Sequence, residues 1–185
     1  MTAMTELREA TTTDAEAIAG FAEYAFRDAF ASSNSMEDMD LYCRKSFGKD
    51  IQQSEIEHPH SSTLLYLENG KIAGYAYLRV DTHLNCIDAA SSMEIQRLYV
   101  HSQWHGRGVA QALMEACIEQ AESAGAGVLW LCVWEENPRA IAFYRKHGFH
   151  PVGGNTFMLG TDLQQDLVML RPIGPGGESA TTSPV

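Results

Sequence analysis

The sequence has 185 residues, of which 45% are hydrophobic, and a formal net charge of −11. This length suits one domain with a sizeable core, and the acidic balance argues against a nucleic-acid partner. No apolar run approaches the ~20 residues of a membrane span, and the first residues lack signal-peptide features, so we expect a cytoplasmic protein that has no membrane partner.

The charge is uneven along the chain. Residues 1–96 carry 16 acids and 7 bases, whereas residues 97–185 carry 8 acids and 6 bases. A solvated surface explains this difference most simply; the alternative is that the N-terminal half attracts cations. The chain has no C-x-x-C pair, so we expect reduced and buried thiols. The cysteines are Cys43, Cys86, Cys117 and Cys132.

The N-terminal third predicts one strand and three helices. Alternation predicts a strand over Thr5–Thr11. Apolar residues at helical spacing predict a first helix that ends near Phe30. A capping box over Ser35–Asp38 starts a second helix that ends near Phe47, and Asp50–Glu57 forms a short third helix. The expected core face of the first helix is Ala17, Ile18, Phe21, Ala25 and Phe26.

The middle of the chain predicts a hairpin and then a further strand. Two β-rich runs, Thr63–Glu68 and Lys71–Val80, flank Asn69-Gly70, which is a strong hairpin signal. A polar loop follows over residues 81–91. Alternating residues then predict a strand over Glu94–Val100.

A glycine loop connects that strand to a helix that ends near Ser123. Residues 103–110 read Q-W-H-G-R-G-V-A. Backbone N–H groups in such a loop, together with the helix dipole, can bind an anion. Gly106 and Gly108 would let the backbone approach a phosphate, because they have no Cβ atom. The expected buried face of the helix is Leu113, Met114, Cys117, Ile118 and Ala121.

Four interpretations of the loop compete. A P-loop requires Lys and then Ser or Thr after the last glycine, where this chain has Val109 and Ala110, and a dinucleotide fingerprint requires a third glycine, where it has Gln111. An ordinary tight turn into a helix stays open. The segment also resembles the pyrophosphate loop of the GCN5-related N-acetyltransferases (GNAT), which has the pattern Q/R-x-x-G-x-G/A.

The C-terminal part predicts three strands and one helix. The apolar run Val128–Trp134 is typical of a strand buried on both faces. Asn137 is a good N-cap for a helix that starts at Pro138 and ends near Lys146. The two closing strands are predicted over Phe149–Leu159 and Asp166–Arg171. Residues 174–185 have the composition of a disordered tail.

A second motif lies on that helix. Residues 137–149 read N-P-R-A-I-A-F-Y-R-K-H-G-F and resemble the N-x-x-A-x-x-F-Y-x-x-x-G-F motif of the same family. The resemblance implies an α/β (α+β) fold with a single GNAT-type domain over residues 1–173. The mixed central sheet would have about seven strands, with one splayed pair, and about four flanking helices.

The resemblance also implies acetyl-CoA as co-substrate. The pantetheine arm would enter between the splayed strands and pair with the backbone of Leu98 and Val100, and the pyrophosphate would lie on the glycine loop. The implied cofactor-binding residues are Leu98, Tyr99, Val100, Gln103, Trp104, His105, Gly106, Arg107, Gly108, Val109, Ala110, Asn137, Ala140 and Phe143.

Acetyl transfer to an amine needs a base and benefits from an acid. An alkylammonium with a pKa near ~10 must lose a proton before it can attack a thioester. Tyr144 occupies the family's tyrosine position and is the predicted acid; the alternative is a core aromatic. Glu94 is the predicted base, directly or through water; the alternative is a carboxylate that is solvated or only holds the amine. No enzyme nucleophile is expected.

Two further segments resemble the bacterial PaiA-type polyamine acetyltransferases. They are residues 26–42, which include F-R-D-A-F and N-S-M-E-D-M, and residues 154–169, which include G-N-T-F-M-L-G. This resemblance implies a polyamine such as spermidine as acceptor. Asn155 stands where these proteins often have His, so a role of that His in the acceptor site is not carried over to this chain.

Other functions stay open at this point. An acetyltransferase for protein or peptide N-termini shares both motifs, and a non-catalytic acyl-CoA binding module is a further alternative. His101 and His105 are four residues apart, but no further ligand is near in sequence, so no metal is expected. The sequence leaves a homodimer open.

Overall fold

The computed structural model describes residues 4–80 and 82–174, which form a seven-stranded sheet with helices on both faces. The strand order is β1-β2-β3-β4-β5-β7-β6. β4 and β5 pair in parallel, and the other neighbours pair antiparallel, so the predicted mixed sheet is confirmed. The strands are β1 Thr5–Glu9, β2 Ser61–Glu68, β3 Lys71–Val80, β4 Ser92–Val100, β5 Val128–Trp134, β6 His150–Leu159 and β7 Asp162–Pro172.

The described residues contain five α-helices rather than about four. They are α1 Ala15–Phe30, α2 Met36–Ser46, α3 Lys49–Glu57, α4 Val109–Ser123 and α5 Pro138–Lys146. None of these helices is long and apolar enough to cross a membrane. The predicted tail lies almost entirely outside the described residues.

Local sequence signals account for most element ends. The Ser35 hydroxyl accepts a hydrogen bond from the Asp38 amide at 3.1 Å, and the Asn137 side chain accepts one from the Ala140 amide at 3.1 Å, which confirms both residues as N-caps. The second half of the predicted capping box does not form, because the Asp38 carboxylate accepts from the Ser35 hydroxyl and from Thr161 instead. Asn69 and Gly70 have φ angles of 53° and 75°, as the predicted two-residue hairpin turn requires.

Several predicted strand ends were wrong. β2 and β4 begin at Ser61 and Ser92, two residues before the predicted Thr63 and Glu94. β1 ends at Glu9, because a short 3₁₀ turn over Thr12–Asp14 follows it. β7 begins at Asp162 rather than at Asp166, because Gly160, with φ of 62°, lets the chain reverse tightly so that Leu159 pairs with Asp162. Residues 162–165 read D-L-Q-Q and are exposed or half-buried, so they lack the apolar alternation that would have marked a strand.

Each face of the sheet has its own hydrophobic core. α4 buries Leu113, Met114, Cys117 and Ala121 on one face, and Ile118 is half-buried at its edge. On the other face α1 buries Ile18 and Phe26. Ala17 is exposed, contrary to prediction. The residues that α1 buries are Ala15, Ile18, Ala22, Ala25 and Phe26, a spacing that leaves Ala17 on the solvent side.

Among the described residues all four cysteines are free thiols. Cys43 and Cys117 are buried, as expected. Cys86 and Cys132 are only half-buried, so the prediction of burial was wrong for these two. Cys132 lies on the wall of the cavity described below.

A bulge and a divergence in the middle of the sheet create the site. Tyr77 pairs with Arg97, and the next residue, Leu78, pairs with Ile95, so Gln96 is an extra residue in β4. β4 pairs with β5 only over Ser92–Glu94. Beyond Glu94 the two strands separate and leave the β4 edge unpaired on that side. The predicted splayed pair is therefore confirmed.

Candidate active site

A cavity of about 670 Å³ opens where β4 and β5 separate. We call the part formed by residues 98–110 and α5 the loop side. We call the part formed by α1, α2, the β6–β7 hairpin, Glu94 and Trp134 the aromatic side. The cavity passes through the gap in the sheet, so groups from both faces can meet in it.

The glycine loop ends in an uncapped helix start. A 3₁₀ turn over Ser102–Trp104 is followed by Gly106 and Gly108, with φ angles of 74° and 85°, and α4 begins at the next residue, Val109. Gly108 has no side chain with which to cap the helix. The first amides of α4 therefore lack intrahelical acceptors and can bind an anion. The predicted sequence of strand, glycine loop and helix is confirmed.

Side chains of the loop take different positions. Gln103 and Arg107 are exposed, and the Arg107 guanidinium stacks on the half-buried Trp104 ring at 5.0 Å. Val109 is buried in the core under α4. Of residues 103–110, His105 and Ala110 line the cavity. The other positions of this segment can therefore contribute to ligand binding only through their backbone or at the cavity mouth.

Two histidines belong to the loop region. The His105 Nε2 atom lies 3.0 Å from the Val100 carbonyl oxygen. The His101 ring stacks on Tyr24 at 4.6 Å, and its Nδ1 atom accepts a hydrogen bond from the Gln103 amide. Within residues 4–80 and 82–174, no three His, Cys, Asp or Glu side chains form a group that could hold a metal ion.

Tyr144 lies on the cavity wall, on the helix that follows β5. It is half-buried, and its ring contacts Phe143 and Phe149 edge-on, with centroids 5.5 and 5.9 Å away. Burial raises the pKa of Tyr144 to about 12. The hydroxyl therefore keeps its proton at neutral pH and can donate it. Asn137, Ala140 and Phe143 of the same motif also line the cavity.

Glu94 lies at the last paired position of β4, opposite Trp130 of β5. Its side chain is half-buried and lines the cavity, and burial raises the pKa of this carboxyl group. Leu98, Tyr99 and Val100 continue along the unpaired part of β4 and line the cavity as well. The structure thus brings both predicted catalytic residues to one cavity.

Sequence reasoning missed most of the aromatic side. Its aromatic wall consists of Phe26, Phe30, Tyr42, Trp134 and Phe157, and its polar residues include Asp28, Asn155, Gln164 and Asp166. Burial, together with the nearby charge of Glu135, raises the pKa of Asp166 to about 6. The one sequence signal for Asp166 is a lone carboxylate at the start of the predicted strand Asp166–Arg171.

The β6–β7 hairpin closes this side against the start of α2. The Asp38 carboxylate accepts hydrogen bonds from the Thr161 amide and hydroxyl at 2.6 and 2.8 Å. The Gln164 side chain donates to the Asn34 side chain at 2.6 Å. Gly160 lies directly against Asp38 and leaves no room for a Cβ atom there.

Comparison with known proteins decides the family. The sequence profile of the acetyltransferase (GNAT) family matches residues 24–149. The chain belongs to the GNAT family. The match includes both motifs, and it makes the chain an N-acetyltransferase that takes its acetyl group from acetyl-CoA. Two features of the structure fit this co-substrate: the unpaired β4 edge beside the cavity and the uncapped start of α4.

Individual GNAT relatives agree with this assignment. An uncharacterized N-acetyltransferase of Lactobacillus delbrueckii subsp. lactis is 33% identical over 148 residues, which are 80% of this chain and 86% of that protein. The ribosomal protein bS18-alanine N-acetyltransferase of Escherichia coli is 32% identical over 108 residues, which are 57% of this chain and 68% of that protein.

A solved structure shares the fold. The PaiA N-acetyltransferase of Thermoplasma acidophilum, in complex with coenzyme A, superimposes with a TM-score of 0.74 at 18% sequence identity. The alignment covers 91% of this chain and 99% of that one. At this identity the similarity establishes the common GNAT architecture.

Proposed function

We propose that this GNAT enzyme acetylates a primary amine of a small cationic acceptor, such as the polyamine spermidine, by direct attack in a ternary complex. The observation that carries the proposal is the aromatic side, where Asp28, Glu94 and Asp166 border a cavity with aromatic walls. Aromatic faces attract ammonium groups, and carboxylates offset their charge. The net charge of −11 favours the approach of a cation over long range.

Acetyl-CoA would bind on the loop side. The unpaired edge of β4 can accept the pantetheine arm at Leu98 and Val100, although His105 already contacts the Val100 carbonyl oxygen. The pyrophosphate would bind the backbone from Gln103 to Ala110. Asn137, Ala140 and Phe143 would flank the arm, since they line the same cavity.

Tyr144 would protonate the leaving thiolate. The amine nitrogen attacks the thioester carbon, the carbon–sulfur bond breaks, and the Tyr144 hydroxyl gives its proton to the sulfur. The raised pKa keeps the hydroxyl protonated at neutral pH but also makes it a weaker acid, so the support for this role is the position of Tyr144 on the cavity wall. If Tyr144 is only a core aromatic, removal of the hydroxyl will leave the rate unchanged.

Glu94 would receive a proton from the amine, directly or through water. Its raised pKa brings a carboxylate closer to the range in which it can accept protons near neutral pH. Glu94→Gln should lower kcat and change the acidic limb of the pH profile if Glu94 is the base. It should raise only KM if Glu94 merely holds the ammonium group.

A protein N-terminus is the second candidate acceptor. The relative that acetylates an alanine of ribosomal protein bS18 favours it. Against it, the contacts of Asp38 with Thr161 and of Gln164 with Asn34 join the two walls of the aromatic side. A small amine can enter the cavity while these bonds stay intact, whereas a polypeptide needs a wider opening.

A cytoplasmic location is part of the proposal. The four free thiols among the described residues support it, because disulfides are rare in reducing compartments. The two residues proposed for catalysis, Tyr144 and Glu94, both line the cavity.

A thiol-release assay tests the acceptor. Acetyl-CoA is incubated with spermidine, with spermine, with a peptide that starts with alanine, or with no acceptor. We expect turnover of the polyamines, and a kcat/KM for spermidine that falls as salt rises, because a Debye length of about 10 Å at 0.1 M screens the attraction. Turnover of the peptide alone would replace the polyamine by a protein N-terminus, and no turnover with any acceptor would favour a binding module.

A further inference from the structure

Asp166 lies on the same face of the sheet as Glu94. In the register, Asp166 is opposite Trp134 of β5 and Asn155 of β6. Glu94 is opposite Trp130, and residues two apart on a strand share a face. Trp130 and Trp134 are two such steps apart, so both carboxylates approach the cavity from the α1 side. The β4–β5 gap separates them.

The Asp166 carboxylate has no side-chain partner among the residues that the structure describes. It is half-buried, and neither a hydrogen bond nor an ion pair satisfies it. Arg97, a buried cation that also lines the cavity, is instead paired with Glu55 at 2.8 Å. A half-buried carboxylate without a cation is costly, and binding of a cationic ligand in the cavity would offset this cost.

The surroundings of Asp166 suit an alkylammonium ion. Trp134 is its cross-strand neighbour, and the Trp134 ring meets Phe30 edge-on at 6.2 Å. Aromatic faces next to a carboxylate are what a cation on a hydrocarbon chain requires. The titratable and charged groups that line the cavity around this region are Asp28 from α1, Tyr42 from α2, Glu94, Arg97 and Tyr99 from β4, Cys132 from β5, and Arg139 and Tyr144 from α5, and Glu135 lies just after β5.

We propose that Asp166 binds a second, non-reacting ammonium group of the acceptor and so makes the enzyme selective for diamines and polyamines over monoamines. This inference rests on the proposed function and adds a specificity-determining residue to it. Glu94 would serve the reacting nitrogen, and Asp166, across the gap in the sheet, would hold the far one.

Protonation gives the proposal a pH signature. Asp166 has a pKa of about 6 and is ionised above that value. As pH falls through 6, the carboxylate is neutralised and KM for a diamine should rise, whereas KM for a monoamine should not. Glu135 helps to raise this pKa, and its backbone amide is bonded to the Gln165 carbonyl oxygen beside Asp166 at 3.1 Å.

The test compares 1,5-diaminopentane with 1-aminopentane as acceptors of the full-length enzyme. Asp166→Asn should raise KM for the diamine about tenfold, with kcat within about twofold of wild type and the monoamine unaffected. Glu135→Gln should move the acidic limb of the diamine profile to lower pH without loss of the maximal rate. The matched control Glu136→Gln, which removes the same charge from an exposed neighbour, should not move it.

Three outcomes would overturn the inference. They are an unchanged KM for the diamine in Asp166→Asn, an equal loss for both amines, and an acidic limb that Glu135→Gln does not move. Because the Glu135 measurement leaves Asp166 intact, it decides the case even if Asp166→Asn fails to fold. If the wild type acetylates neither amine but does acetylate a peptide, the proposed function fails and this inference fails with it.

Discussion

The loop side and the aromatic side of the cavity are built in different ways. On the loop side a short continuous segment supplies the end of β4, a 3₁₀ turn and the start of α4. The groups that it offers to a ligand are mainly backbone amides and carbonyls. On the aromatic side, residues more than 120 positions apart meet through side chains, as Asp38 and Thr161 do. Under the proposed function, cofactor binding depends on local backbone geometry, whereas acceptor choice depends on long-range side-chain contacts.

The largest effect should come from Tyr144→Phe, which affects the loop side without moving its backbone. If the hydroxyl is the acid, kcat should fall about 10²-fold while the affinity for coenzyme A stays nearly constant. Single-turnover kinetics would measure it, with Tyr66→Phe as a control away from the cavity. A wild-type rate of the chemical step would make Tyr144 a core aromatic.

Gly74→Ala tests how tightly α4 is packed against β3. A Cβ atom at Gly74 would lie 2.9 Å from the Tyr99 carbonyl oxygen, 2.9 Å from Leu113 and 3.0 Å from Val109. The overpacking should lower the free energy of unfolding by about 2 kcal/mol. Gly20→Ala in α1 meets no atom within 4 Å and should raise it by about 0.5–1 kcal/mol. Denaturant titration measures both, and equal stabilities would refute tight packing.

Gly108→Asp separates cofactor binding from acceptor binding. It adds strain at a φ of 85° and a negative charge where we place the pyrophosphate, so affinity for coenzyme A should fall about tenfold or more. Gly125→Asp is the matched control, since Gly125 has a φ of 69°, open space around it and a position at the other end of α4. Calorimetry that finds equal affinities for the two variants would contradict an anion site at the helix start.

Asp38→Ala should weaken only acceptor binding on the aromatic side, and we expect this effect to be the smallest of those predicted here. Loss of the bonds to Thr161 should loosen the hairpin and raise KM for spermidine about two- to threefold, because the walls are held less firmly. KM for acetyl-CoA should stay constant. Glu37→Ala, at the exposed neighbouring position of the same helix turn, is the control. An increase in KM for acetyl-CoA would show that the two sides are not independent.

The sequence predicted most of the fold and about half of the site. The Asn69-Gly70 turn, the caps at Ser35 and Asn137 and the apolar run of β5 are local signals, and each was confirmed. The glycine loop could be recognised for the same reason. The start of β7 was missed, because its first residues are polar and a tight turn at Gly160 sets their pairing.

The rest of the site depends on tertiary contacts. Asp166 has no neighbour in sequence that marks it as functional. Its proposed role can be inferred only from the pairing of β7 with β5, which puts Asp166 opposite Trp134 beside the β4–β5 gap. The bulge at Gln96 could not be predicted from sequence either, because a single extra residue in β4 is visible only in its pairing register with β3.

The most direct measurement is a crystal structure with a bisubstrate analogue in which spermidine is linked through an acetyl group to coenzyme A. We predict the pyrophosphate on the amides at the start of α4, the pantetheine arm along the β4 edge, and the polyamine on the aromatic side between Glu94 and Asp166. A pyrophosphate away from that helix start, or a polyamine directed away from the aromatic side, would contradict the division of the cavity into a cofactor half and an acceptor half.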